Sequence, residues 1–168
     1  PDDVALSCGW GQAASAYRIH DLVPGAKVML HNTAAAFAGA NRHAFLTVRM
    51  PNGKWYLVDP TFRQFFGKLG SESAQVGQAF RSSPAGKMMA DKLLSKGWVE
   101  LTDETATLYG RAMTYDAKGA SQFSANSLQS KATSTLLHTR PPLAERMKLK
   151  TGSKVQKGAF AGTITEAK

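Results

Sequence analysis

The chain carries a single cysteine, Cys8, in 168 residues, which excludes an internal disulfide and any Cys-rich zinc site. It has no apolar run of the length a membrane-spanning helix needs. It lacks an initiating Met and a basic-plus-apolar leader, and its start at Pro1 predicts excision from a longer polypeptide. Acidic side chains are scarce, 12 against 21 Lys and Arg, so the net charge is +9. Such a balance favours acidic partners. Helix-turn-helix, zinc-knuckle and glycine-aromatic RNA-binding signatures are all missing, which weighs against direct nucleic-acid binding. An acidic protein, as target or as inhibitor, suits the charge. His20, His31, His43 and His138 show no ligand spacing, so no metal and no cofactor is expected.

Hydrophobic content of 43% and charged content of 20% are those of a globular chain with one core. Arg140-Pro141-Pro142 breaks the pattern, predicting a domain over 1–140 and a basic extension over 141–168 with a terminal strand near Phe160 to Ile164.

The spacing of Ala13, Ala16, Tyr17 and His20 predicts a helix over 8–20 with Ser7 or Cys8 at its N-terminus. Gly9 and Gly11 each weaken it by about 1 kcal/mol, which points to close backbone approach at both. Val23-Pro24-Gly25 is a turn. Lys27 to Gly39 is ambiguous, its second half reading as helix. His43 to Met50 and Lys54 to Asp59 are rich in β-branched and aromatic residues and flank Pro51-Asn52-Gly53, a hairpin. A three-residue loop pairs Met50 with Lys54, sets Phe45 opposite Asp59 and leaves His43 on the same face. A two-residue loop separates His43 and Asp59 onto opposite faces.

After Thr61 to Phe66 the chain reads as a polar loop through Gly70 to Ser83. Ser83-Pro84 then starts a helix with an apolar stripe of Met88, Met89, Leu93 and Leu94, ending at Gly97. Trp98 to Leu101 is a short strand, and Thr102-Asp103-Glu104 caps a helix carrying Ala106, Tyr109 and Met113. The Ser-, Thr- and Gln-rich stretch over 120–138 has weak helical character. Trp10 and Trp55 are expected in the core or on a cleft wall.

A lone Cys is either a small buried hydrophobe or a nucleophile, and its neighbours decide. A helix N-terminus beside an imidazolium populates the thiolate that attacks an amide carbonyl. Cys8 opens a helix, His43 opens a strand as candidate base, and Asp59 closes the next strand as the group orienting it. Singly, His43 reads as a core histidine and Asp59-Pro60 as a strand-ending turn; with Cys8 and the strand parity they read as a triad. His20 lies three helical turns from Cys8, out of reach.

Cys8-Gly9 followed by small residues, His43-Ala-Phe opening a strand, and Tyr56-Leu-Val-Asp59-Pro60-Thr61 together resemble the papain-like clan in its compact bacterial form, over residues 8–66. The short spacings and Gln64, five residues after Asp59, are similar to the papain-fold toxin domains that include the Pasteurella toxin deamidase domain. The resemblance implies an α+β fold with the nucleophile helix packed on a small antiparallel sheet, a catalytic set of Cys8, His43 and Asp59, and Gln64 as oxyanion donor. Ordinary papain-like peptidases take that donor from upstream of the nucleophile, where Pro1 to Ser7 contain no Gln. It further implies a cysteine peptidase acting on a protein target, as the toxic domain of a secreted bacterial effector delivered into the cytoplasm of another cell and held in check by an acidic immunity protein. A protein-glutamine deamidase uses the same thioester chemistry, as does an acyltransferase. A basic binding module with a structural Cys8 is the non-enzymatic alternative.

Overall fold

The hairpin at Pro51-Asn52-Gly53 sets the register of the sheet. In this computed structural model, which describes residues 8–33, 43–67, 71–114 and 123–130 (71–73 by their backbone alone), Met50 N–H donates to Lys54 O at 2.8 Å across the three-residue loop. β2 (Ala44–Arg49) and β3 (Trp55–Val58) pair antiparallel from Arg49↔Trp55 to Leu46↔Val58. The odd-length loop expected from sequence is the one observed. β1 (Lys27–Asn32) joins the far side of β2, and β4 (Trp98–Glu100) joins β3, giving a four-stranded antiparallel sheet in the order β1-β2-β3-β4.

α1 (Cys8–Leu22) lies on one face of the sheet, where Ala16 packs against Val28, Leu46 and Val48. The other face meets the remaining helices. Phe45, Leu57 and Val99 alternate with the α1-facing residues and bury against Phe80 of α2 (Ser71–Arg81), Leu93 of α3 (Pro84–Lys96) and Tyr109 of α4 (Asp103–Met113). Leu128 of α5 (Ala125–Ser130) closes this core. With both faces covered, β2 is buried at five of its six positions. The protein is thus α+β, with a helix on one face of an antiparallel sheet and several on the other.

Three sequence expectations change and one ambiguity is resolved. The presumed polar loop over 70–83 contains α2, a helix poor in apolar residues that docks through Val76 and Phe80, one turn apart. The first half of the ambiguous 27–39 stretch is β1; the half read as helix falls almost wholly on residues outside those described, as do 141–168, the 160–164 strand and His138. Within α3 the buried stripe is Met89, Ala90 and Leu93, whereas Met88 is 62% exposed. Trp10 is no core residue, being 78% exposed, while Trp55 packs against the larger core.

The boundaries of α3 and α4 follow capping chemistry. Ser83 accepts from Gly86 N–H, Pro84 occupies the first turn, and Gly97 ends α3 at φ 77°. Thr102 and Thr105 form a reciprocal capping box on α4.

Candidate active site

The site lies where α1 begins, β2 begins and β3 ends. Cys8 is the first residue of α1 and is half-buried. His43 immediately precedes β2, its backbone bonded both ways to Thr33: Thr33 N–H donates to His43 O at 2.8 Å, and His43 N–H donates to Thr33 Oγ1 at 2.9 Å. Asp59 follows β3, and its N–H donates to Gly97 O at 2.8 Å. The left-handed Gly97 that ends α3 therefore also pins the backbone of the acid.

His43 is 2% exposed and Asp59 fully buried, and His43 Nε2 stands 2.7 Å from Asp59 Oδ2. With Nε2 turned to the carboxylate, Nδ1 is the nitrogen left for the thiol. Interaction with the His43 side chain is the strongest influence on Cys8 and holds its pKa below the ordinary thiol value, although burial pushes it up. For His43, burial alone lowers the pKa, but the charge and hydrogen bond of Asp59, joined by those of Cys8, overcome it and raise the imidazole to about 9. Both shifts act in the direction of a thiolate–imidazolium pair.

Asp59 is held by more than the histidine. Tyr109 Oη donates to Oδ2 at 2.8 Å; Gln12 Nε2 donates to Oδ1 at 3.1 Å; Thr61 gives Oδ1 both its backbone N–H, at 3.2 Å, and its hydroxyl, at 3.1 Å. Burying a carboxylate is costly unless its oxygens are hydrogen-bonded in this way. Tyr109 in turn has its phenol pKa raised, chiefly by burial and then by the Asp59 charge, so it remains a donor. Gln12 is the residue one turn after Cys8 on α1 and is fully buried. Cys8 and Asp59 are therefore joined through one helix.

The glycine expectation holds at one of two positions. A Cβ at Gly11 would come 2.5 Å from Thr61 Cγ2, whereas one at Gly9 would meet nothing within 4 Å. Gly11 lets α1 approach the Asp59–Thr61 turn closely enough for Gln12 to reach the carboxylate.

Gln64, in the 3-10 turn Phe62–Phe66, places Nε2 3.1 Å from His43 Nδ1 and 3.4 Å from Thr61 Oγ1. An amide N–H can donate to Nδ1 only while that nitrogen carries a lone pair. Once His43 is protonated, Nδ1 becomes a donor, and Gln64 must turn its carbonyl oxygen towards it or leave it.

The four candidates Cys8, His43, Asp59 and Gln64 thus converge. Gln12, Thr61 and Tyr109 were not legible as site residues. His31 is buried on the sheet with Nε2 2.8 Å from Thr47 Oγ1 and stacked on Phe45. Among the described residues no group of His, Cys, Asp or Glu could hold a metal ion, and no helix is long and apolar enough to cross a membrane. Comparison with protein-family models, with curated proteins and with solved structures gave no match.

Proposed function

We propose that the protein is a papain-like thiol hydrolase that cleaves an amide in another protein, acting as a cysteine peptidase. The observation that carries this reading is the imidazole of His43, anchored by Nε2 on a buried, fully partnered Asp59, acting on the half-buried Cys8 so that its thiol pKa is lowered.

The Cys8 thiolate attacks the carbonyl carbon, forming a C–S bond while the C=O electron pair moves to oxygen. The Cys8 backbone N–H, at the start of α1, and the Gln64 amide stabilise that oxyanion. The tetrahedral adduct collapses, the C–N bond breaks, and Nδ1–H of His43 protonates the departing amine. His43, now neutral, takes a proton from water as the water attacks the thioester, and Cys8 leaves as thiolate.

Deamidation is the second reading, favoured by the position of Gln64 beside His43 Nδ1 and after the acid. The same steps then release ammonia from a glutamine side chain. The net charge of +9 suits an acidic protein target or inhibitor, in keeping with an effector delivered into another cell.

Expression of wild type and Cys8→Ala in a bacterial host, followed by comparison of their proteomes, separates these outcomes. New peptide termini in the wild type alone support peptidase action, and a mass gain of about one unit at a Gln supports deamidation. Equal toxicity of both proteins, with neither mark, rejects both.

A further inference from the structure

A second surface lies further along the helix that carries Cys8. α1 packs mainly over β1 and β2, so on that face β3 and the start of β4 have no helix above them among the described residues. A groove of about 560 Å³ results, with Ile19 of α1 on one wall, Val48, Tyr56 and Val58 as its floor and Trp98 on the other wall. Trp98 is 42% exposed, with its ring set edge-on to Tyr56 at a centroid distance of 5.2 Å. An opening of this size accepts several side chains.

The groove is apolar with positive walls. Arg18 lines it from α1, and Lys96 lines it from the end of α3, with Nζ 5.4 Å from the Trp98 ring centroid. No carboxylate is among the lining residues. The groove is also aligned with the nucleophile. Ser15, on its wall, lies seven residues after Cys8, hence on the same face of α1 and about 10 Å further along. Pro60, which also lines it, follows the acid Asp59. An extended chain covers that separation in about three residues.

We propose that this groove holds an apolar, acidic stretch of the protein on which Cys8 acts, about three or more residues from the amide attacked, a role that rests on the thiol-hydrolase reading above. Apolar side chains lie on Val48, Val58 and Tyr56 while flanking carboxylates meet Arg18 and Lys96. Charge decides against the two other occupants. Residues 131–168 are rich in Lys and Arg, with Glu145 and Glu166 their only acidic side chains, and a second copy carries +9 of its own.

The test uses the full chain and fluorescein-labelled nonapeptides in which Leu-Ile is flanked by Glu pairs or by Lys pairs, with binding read by anisotropy at low salt. The Glu peptide is expected to bind at least about ten-fold tighter, an advantage lost in high salt. Arg18→Glu with Lys96→Glu reverses the preference, Arg18→Gln with Lys96→Gln abolishes it, and Trp98→Ala weakens the Glu peptide. Cys8 alkylation by iodoacetamide stays at the wild-type rate in these variants, which shows that they are folded. Equal binding of the two peptides, or a preference that survives charge reversal, overturns the proposal. So does photo-cross-linking from a benzophenone at position 98 onto residues 131–168 or onto a second copy. A charge preference that tracks Arg18 and Lys96 beside an unactivated Cys8 upholds the docking surface and removes the hydrolase; an activated Cys8 with no preference does the reverse.

Discussion

Gln12 reaches Asp59 from the second turn of the helix that carries Cys8, its Nε2 donating to Oδ1 at 3.1 Å and to Thr61 Oγ1 at 3.2 Å. Removing it leaves a buried carboxylate one donor short. Gln12→Ala is expected to cost about 1.5–3 kcal/mol in urea denaturation, the worth of a hydrogen bond to a charged group. Gln12→Glu sets two buried carboxylates together, and they cannot both ionise. The pair holds a proton more tightly folded than unfolded, so the stability of this variant increases as pH falls from 7 towards 5. A flat profile there would sink the assignment.

Tyr109→Phe keeps the ring that packs on Phe45 at 4.9 Å and deletes only the hydroxyl that donates to Asp59. A loss of about 1.5–3 kcal/mol is expected, with the fold retained by circular dichroism. A change below about 0.5 kcal/mol, the range of ordinary surface substitutions, would show that the hydroxyl adds nothing.

Alkylation of Cys8 should set in at lower pH than for an ordinary thiol, because the thiol pKa is lowered by His43. His43→Ala returns the thiol to ordinary behaviour, with reactivity rising only above about pH 8. On the proposed hydrolase reading, kcat/KM is expected to fall above about pH 9, where His43 loses the proton destined for the leaving group. Wild-type alkylation that itself rises only above about pH 8 contradicts the activated pair.

His43 holds its proton up to about pH 9 when folded, against an ordinary value of 6.5, so its contribution to stability is full below 6.5 and is lost as pH rises towards 9. Cys8 works oppositely: its lowered pKa contributes above the ordinary thiol range and is lost as pH falls through the folded value. The two partly cancel in the wild type. Cys8→Ala exposes the histidine alone, and its urea midpoint should decline from pH 6.5 upward, ending below pH 9 because the Cys8 contribution to the shift is gone. Adding Asp59→Asn should flatten that decline.

Gly11→Ala improves helix propensity by about 1 kcal/mol. The new methyl nevertheless meets Thr61 Cγ2, and Thr61 is buried and bonded to Asp59. Net destabilisation and slower alkylation of Cys8 are expected, whereas Gly9→Ala, with open space around it, should be stabilising. Similar effects of the two substitutions would remove Gly11 from the site's support.

The parts of the site that sequence made legible are those fixed by local geometry. Pro51-Asn52-Gly53 sets a hairpin whose parity alone puts His43 and Asp59 on one face, and a helix start needs only its neighbours to place Cys8. Gln12 and Tyr109 meet Asp59 across 47 and 50 residues of chain, through contacts that no spacing announces. Tyr109 sits in an apolar stripe like any core aromatic. Gln12 left one trace, a polar side chain one turn after the nucleophile on a face otherwise of small residues. α2 hid for a related reason: it relies on tertiary burial of Val76 and Phe80 rather than on a continuous apolar face.

The acid that tunes His43 takes its hydrogen bonds from the start of α1, the turn after β3 and the middle of α4, and its backbone is tied to the end of α3. No half of the chain can assemble that arrangement by itself. An unfolded polypeptide therefore carries Cys8 as an ordinary thiol, and its lowered pKa appears only when the last of these segments docks. The tuning of that thiol is thus a property of the completed fold and of no single segment.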